Sequence, residues 1–550
     1  MSALCLSGCA ADAGLNEQGV QGDIVSPGNY VAGEYTSVLS GEILDAASNV
    51  KTHEVDYAKA VYVTLGGDKA TVTAIGNAHE EKEISNEAFY GLRLSGGTLL
   101  IESAGDYVLT GEFYGQVQIN ATVADKVHLV LDGVSITCEN SSAIYGKQSD
   151  RIYITLAEGS TNMVSDGASY IYETEEEDEP NAVIFSKDDL TFDGAGTLVV
   201  CGNFADGIRS KDDLAIVDGA YEVTAIKDAI QGKDSVCITG GNFILKSGGD
   251  AIKASNDTDE NKGYVVIDGG TFSVQADDDG VHGESGLLIQ DCKMDILSCY
   301  EGLEAKTIEM NGGEIEIVAS DDGINAAYST SEENCNIGIT GGKLTITAGG
   351  DGIDSNGNLY MVGGEVYVNG AARGADSALD CSVEAVVSGG TMVALGASEM
   401  AMGFSENSSQ CFIFYNMEKQ AAKGDVLQLL DKNGNVLLTY SSVNAYNSVL
   451  ISSPALVADG TYTIICGEQE AEIALSGTFY SQGGFRGHGN FGGGPGDFGG
   501  RPGDFKGDFD GDFDGKGRWP GERDTGEIQD MPEGMTPPEG WSPGQMPQKR

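Results

Sequence analysis

The sequence predicts an all-β chain: a parallel β-helix of coils about 22 residues long, a β-rich C-terminal cap and a disordered tail. One phrase recurs through the middle of the chain: Asp206-Gly207-Ile208-Arg209, Asp228-Ala229-Ile230-Gln231, Asp250-Ala251-Ile252-Lys253, Asp279-Gly280-Val281-His282, Glu301-Gly302-Leu303-Glu304, Asp322-Gly323-Ile324-Asn325 and Asp351-Gly352-Ile353-Asp354. Its acid returns at intervals of 22, 22, 29, 22, 21 and 29 residues. A second phrase travels with it, usually a Gly-Gly step followed by alternating apolar positions, as in Ile238–Leu245, Ile267–Val274, Met310–Ile317, Ile339–Ile346 and Met361–Val368. These units also lack helical periodicity. A fixed period with strand-type alternation marks a solenoid, in which each unit buries its apolar face only against its neighbours.

The charge balance limits the partners. With 85 acidic and 31 basic residues the net charge is −54. Nothing on such a chain neutralises phosphate, so nucleic acid is excluded as a partner, and unaided binding to an anionic membrane is disfavoured. Carboxylate oxygen suits divalent cations. The 11 Cys form no CxxC pair, and most sit inside strand patterns such as Val236-Cys237-Ile238, where they read as small buried apolar residues.

Taken in order, the chain opens with Leu6-Ser7-Gly8-Cys9, which resembles a bacterial lipobox with Cys9 as the lipidated residue. The basic region and most of the apolar run of a secretory signal are missing from residues 1–9. Residues 10–50 read as a linker. There is no apolar run of about 20 residues for a membrane-spanning helix. Residues 51–405 read as the β-helix. Its first coils carry the phrase in worn form, at Ser142-Ala143-Ile144-Tyr145 and Ala182-Val183-Ile184-Phe185, and the acidic run 173–179 between them reads as a solvated loop. Another worn copy, Ser377-Ala378-Leu379-Asp380, extends the array. Residues 406–482 read as a β-rich cap over strand edges that an open solenoid end would expose, with a hairpin turning at Lys432-Asn433-Gly434-Asn435. Residues 483–550 hold 8 of the 11 Pro and both Trp. A Gly/Pro/Asp-rich stretch of that kind buries no core and reads as disordered.

Stacking converts the repeat into chemistry. Coils pair at about 4.8 Å, so equivalent positions form columns. The apolar residue two places after each acid enters the core. The acids form a column of carboxylates, and two such charges about 5 Å apart repel by roughly 3 kcal/mol at an effective dielectric of about 20. Raised pKa values, pairing with Lys, or bound cations relieve this. Arg209, Lys211, Lys227, Lys233 and Lys253 neutralise the early copies. The later ones are crowded with further acids, and the candidate Ca²⁺ ligands are Asp250, Asp278, Asp279, Glu301, Glu304, Asp321, Asp322, Asp351 and Asp354. Each Asp equally suits capping its own turn through backbone N–H groups, as Asx-turns do. The five His (His53, His79, His128, His282, His488) are scattered, and only His282 falls on the column.

The Gly-Gly strands, the Asp-Gly-Ile turns and the Gly/Asp-rich tail resemble the bacterial carbohydrate-binding-domain family of right-handed parallel β-helices, similar in fold to pectate lyases. The resemblance covers roughly residues 50–475. It implies a secreted protein that binds plant cell-wall polysaccharide, cellulose or polygalacturonate, with Ca²⁺ along the helix.

The leading expectation is therefore non-catalytic, calcium-dependent polysaccharide binding at the bacterial cell surface, with the membrane reached only through a lipid anchor. A pectate-lyase-type enzyme is the first alternative. It needs Ca²⁺ on the uronate and a basic side chain at the sugar C5, for which Lys253 and Lys306 are the candidates, although a Lys beside acids also serves as a charge partner. A structural or adhesive surface protein is the second. Ca²⁺ explains how so acidic a chain holds an anionic glycan. A neutral glycan calls for aromatic stacking, and residues 1–482 hold no Trp, which leaves Tyr300, Tyr328 or Tyr360.

Overall fold

Ile208, Ile230, Ile252, Val281, Leu303, Ile324 and Ile353 stand over one another, each the in-register partner of the next along a parallel ladder. All seven are buried. They are the apolar residues of the repeated phrase, and their strands form most of a 13-stranded sheet. The computed structural model describes residues 35–172, 174, 176–327 and 335–482. The solenoid has about 11 turns.

A coil has three short strands. In one, Ile230–Gly232 lies in the narrow sheet, Ser235–Ile238 in a second wall and Asn242–Ser247 in a third. The third strand carries the Gly-Gly phrase, and its alternating burial follows the alternation in the sequence. Identical positions stack through successive coils. Tyr221, Phe243 and Phe272 lie nearly parallel, with centroids 5.0 and 4.6 Å apart. The core is one continuous cluster running through the coils.

A glycine after the acid answers a close approach. A Cβ on Gly302 would lie 2.3 Å from the carbonyl oxygen of Gly323 in the next coil, and one on Gly280 2.6 Å from that of Gly302.

Both ends are closed by antiparallel pairing. At the start, Val61–Gly67 runs parallel to Gly105–Tyr114 and turns back through Lys69–Ile75 and Ala78–Glu83. At the far end, Thr391–Gly396 pairs antiparallel with Tyr446–Ser452, which also pairs with Phe412–Ala421. A separate four-stranded antiparallel sheet includes the hairpin Val426–Asp431/Val436–Ser441, with Gly434 at φ 82° in its turn.

The segment read as a linker differs from that expectation beyond residue 34. Ser40 caps a helix, Gly41–Asn49, by accepting from the Ile43 N–H. Leu39 and Ile43 pack onto Cys237, Tyr264, Val266 and Leu288 on the outside of the second wall. The strap is pinned at Glu309, 1% exposed, whose Oε1 accepts from Tyr35 (2.8 Å), Ser37 Oγ (2.8 Å) and the Val38 N–H (3.0 Å). Without alternating apolar residues, this stretch looks like spacer until the wall it covers is known. Cys9 and its lipobox, Tyr328 and the 483–550 tail lie outside the described residues. Nine cysteines among the described residues are free, and all but Cys201 are buried.

Candidate functional site

The repeated acids form one column, and their hydrogen bonds run between coils. Asp206 Oδ1 accepts from the N–H of Asp228 (3.3 Å), Asp228 Oδ1 from Asp250 (3.0 Å), and Asp250 Oδ1 from Asp279 (2.9 Å). The pattern resumes from Asp351 N–H to Asp322 Oδ1 (2.6 Å) and from Ser377 N–H to Asp351 Oδ1 (2.5 Å). Each of these carboxylates thus caps the equivalent turn of the following coil, not its own as an Asx-turn would. Glu301, one methylene longer, accepts instead from Asn325 Nδ2 at 2.9 Å.

A second column stands three residues on, where the short strands face outward: Arg209, Gln231, Lys253, His282, Glu304, Asn325, Asp354 and Asp380, in register. Along the early coils it neutralises the first. Arg209 Nη1 reaches Asp206 Oδ2 (2.8 Å), Lys253 Nζ reaches Asp250 Oδ2 (2.5 Å), and His282 Nδ1 reaches Asp279 Oδ2 (3.0 Å). From Glu304 onward its members are acids or Asn. The charge of the edge therefore changes sign between His282 and Glu304. Counting only Arg and Lys as counter-charges puts that change one coil earlier, between Lys253 and His282.

His282 is only 15% exposed, and besides Asp279 it touches Glu304 (2.6 Å) and Glu284 (3.5 Å). Burial opposes its charge, but bonds to these three carboxylates outweigh burial and push its pKa up to about 12. Within the tightly linked Asp279–Glu304 pair, burial raises Asp279, while the His282 bond pulls Glu304 down against its own burial.

Farther along, the outward column carries no cationic side chain among the described residues. Burial first, then neighbouring carboxylates, push Glu301 and Asp351 up to about 8, Asp354 to about 7 and Asp322 to about 6. The charges raising Asp354 belong to Asp322, Asp380 and Asp376. Asp376 and Asp380 were missed as site residues, although the worn copy Ser377-Ala378-Leu379-Asp380 places an acid in the outward column.

Of the predicted ligands, Asp279, Glu301 and Glu304 bring one oxygen each within 4.8 Å of one another, as do Asp250 and Asp279 with His282 nitrogen. Asp322, Asp351 and Asp354 form the unneutralised run. Asp278 is exposed and Asp321 half-buried, each one residue before a column acid, and Asp321 bonds the Tyr300 hydroxyl. A donor set of carboxylate oxygens and turn carbonyls fits a hard cation such as Ca²⁺.

The other predicted groups fare unequally. Lys253 is ion-paired to Asp250, and although burial lowers its pKa, Asp250 and its neighbours raise it overall. Lys306 follows Leu303–Ala305 directly and is half-buried. Tyr360 is 6% exposed against Tyr35, so it offers no sugar platform. Tyr300, 47% exposed, stands beside the column.

The chain is similar to a protein of Acetivibrio thermocellus described as a carbohydrate-binding domain-containing protein, 38% identical over 136 residues, which are 24% of this chain and 48% of that protein. The match thus spans about half of that relative. A solved structure described as a polysaccharide lyase-like protein from C. thermocellum, a gadolinium derivative, is 28% identical, covers 55% of this chain and 96% of its own, and superposes with a TM-score of 0.39. The family model described as carbohydrate-binding domain-containing protein matches residues 95–306 and 288–410, more than half of the sequence. The chain belongs to the carbohydrate-binding domain family.

Proposed function

We propose that this protein binds an acidic plant cell-wall polysaccharide of the polygalacturonate type, non-catalytically and through Ca²⁺ held by the unneutralised part of the carboxylate edge. The observation carrying this reading is the change of sign along the outward column. Glu301, Asp322, Asp351 and Asp354 are held close together with carboxylates as their nearest charges, and two of them favour the proton up to about pH 8. A divalent cation relieves that repulsion and retains affinity for uronate oxygens. Those four residues, with Glu304 and Asp279, would hold the ions. Tyr300, 47% exposed beside the column, would offer its ring face to a sugar.

A neutral chain such as cellulose has less support. The stacked Tyr221, Phe243 and Phe272 are at most 3% exposed, and Tyr360 is covered. The lyase reading is weaker too, because a base at C5 needs a lowered pKa and that of Lys253 is raised. Display at the cell surface through lipidated Cys9 is part of the same proposal.

Retention of the full chain on polygalacturonate and on cellulose, with Ca²⁺ and with EDTA, tests the reading. Calcium-dependent retention on polygalacturonate is expected, without an absorbance rise from unsaturated products. Binding unchanged by EDTA, or no binding to polygalacturonate, overturns it. A steady absorbance rise restores the lyase.

A further inference from the structure

Far from the carboxylate edge, on the outer face of the first coils, three side chains from different parts of the chain converge. Asp106 and His128 are in-register partners on neighbouring strands. His53 comes from the segment before the first strand. His53 Nε2 lies 3.0 Å from Asp106 Oδ1, and His128 Nδ1 lies 3.3 Å from the same oxygen. The three donor atoms fall within 4.8 Å of one another.

The protonation pattern around His128 is the telling feature. The Thr155 hydroxyl donates its one hydrogen to Asp193, so it accepts from His128 Nε2–H, 2.7 Å away. That places the proton of a neutral ring on Nε2 and leaves a bare lone pair on Nδ1. His128 is 1% exposed, and Nδ1 has no hydrogen-bond partner. A lone pair facing a carboxylate oxygen at 3.3 Å is repulsive unless a cation sits between them, and a proton on Nδ1 would gain no well-aimed hydrogen bond there.

We propose that His53 Nε2, His128 Nδ1 and Asp106 Oδ1 form a site for one zinc-type divalent cation. The donor spacings fit, since two donors about 2.1 Å from a tetrahedral zinc stand about 3.4 Å apart. Two imidazoles and a carboxylate select a borderline metal over Ca²⁺. The supporting bonds match those of metal-binding histidines, whose second nitrogen donates outward and fixes the ring. Asp106 is oriented as well, because its Oδ2 accepts from the Asp56 N–H at 2.9 Å. The ion clamps the segment around His53 onto two adjacent coils. His53, 39% exposed in its side chain, leaves the fourth position toward solvent.

The test loads the chelator-stripped full chain with Zn²⁺ in millimolar Ca²⁺ and measures bound zinc after dialysis, with Co²⁺ as a spectroscopic probe. One zinc per chain, resistant to Ca²⁺, is expected, with the visible bands of nitrogen-ligated four- or five-coordinate cobalt. His53→Ala, a rim substitution, abolishes retention. Thr155→Val weakens it about 10-fold by freeing the His128 ring. Asp354→Asn leaves it unchanged. Zinc displaced by Ca²⁺, zinc retained by His53→Ala, or an octahedral all-oxygen cobalt spectrum in the unsubstituted chain overturns the proposal and leaves a metal-free His–Asp–His cluster.

Discussion

The N–H of Asp279 donates to Oδ1 of Asp250, 2.9 Å away and 29 residues earlier, while Oδ2 of the same Asp250 carries Lys253 at 2.5 Å. One buried carboxylate thus joins two coils and neutralises a cation. Asp250→Ala leaves a buried N–H and a half-buried ammonium unpaired, and about 3 kcal/mol of stability is expected to be lost. Asp250→Asn keeps an acceptor for the N–H and loses less. Denaturant midpoints of the two variants check this, and equal losses would mean that the inter-coil bond contributes nothing.

The same substitution has the opposite effect farther along. Asp354 is raised by burial and by the charges of Asp322, Asp380 and Asp376. Asp354→Asn removes a repelling charge, so the metal-free chain at pH 8 is expected to gain on the order of 1 kcal/mol after solvent screening. The variant also loses most of the stabilisation that Ca²⁺ confers. Thermal melts with and without Ca²⁺ read both effects. A variant that is less stable without metal and equally stabilised by Ca²⁺ contradicts the placement of the ions.

These raised pKa values set the direction of the pH dependence. Carboxylates have unfolded values of about 4, whereas Asp322 stands at about 6, Asp354 at about 7, and Glu301 and Asp351 at about 8 in the metal-free fold. Raised folded values contribute stability that is fully present below about pH 4 and lost as pH rises through 6 to 8. His282 acts in the same direction, its contribution fully present below about 6.5 and declining above. Glu304, lowered, contributes above its unfolded value and loses that contribution only in acid. The melting temperature of the chelated chain should therefore fall between pH 5 and 9, and Ca²⁺ should flatten the fall while releasing protons. A melting temperature that climbs over that interval in EDTA would falsify this assignment.

The ladder was legible because a periodic sequence states its own register. The recurrence of Asp-Gly-Ile is enough to stack Ile208 on Ile230 and Asp228 on Asp250. The direction in which the Asp side chains bond was not legible, since bonding within a turn and bonding to the next coil produce the same repeat. His282 was undervalued for a related reason: its charge depends on Glu284 and Glu304, which its own phrase does not contain. Asp106 and His128 stand 22 residues apart, one period, yet they belong to coils where the phrase is worn, and His53 enters from outside the repeat. Only folding joins those three. The strap was hidden because its partner surface is the outside of a wall built about 200 residues later.

That strap provides a separate test, away from metal and glycan. Glu309 accepts three hydrogen bonds from Tyr35, Ser37 and the Val38 N–H while remaining 1% exposed. Glu309→Ala leaves those donors without their acceptor, at about 2 kcal/mol or more. The loss falls on the strap and not on the coils, whose core runs through other residues. Release of Leu39 and Ile43 uncovers Cys237, 5% exposed and with a thiol pKa pushed by burial to about 12. Thiol labelling mapped by mass spectrometry should show Cys237 reacting faster in Glu309→Ala, with Cys335 and Cys381 unchanged. Proteolysis should trim residues 35–50 first. If Cys237 stays as protected as in the unsubstituted chain, packing by Leu39 and Ile43 alone holds the strap, and Glu309 is not its pin.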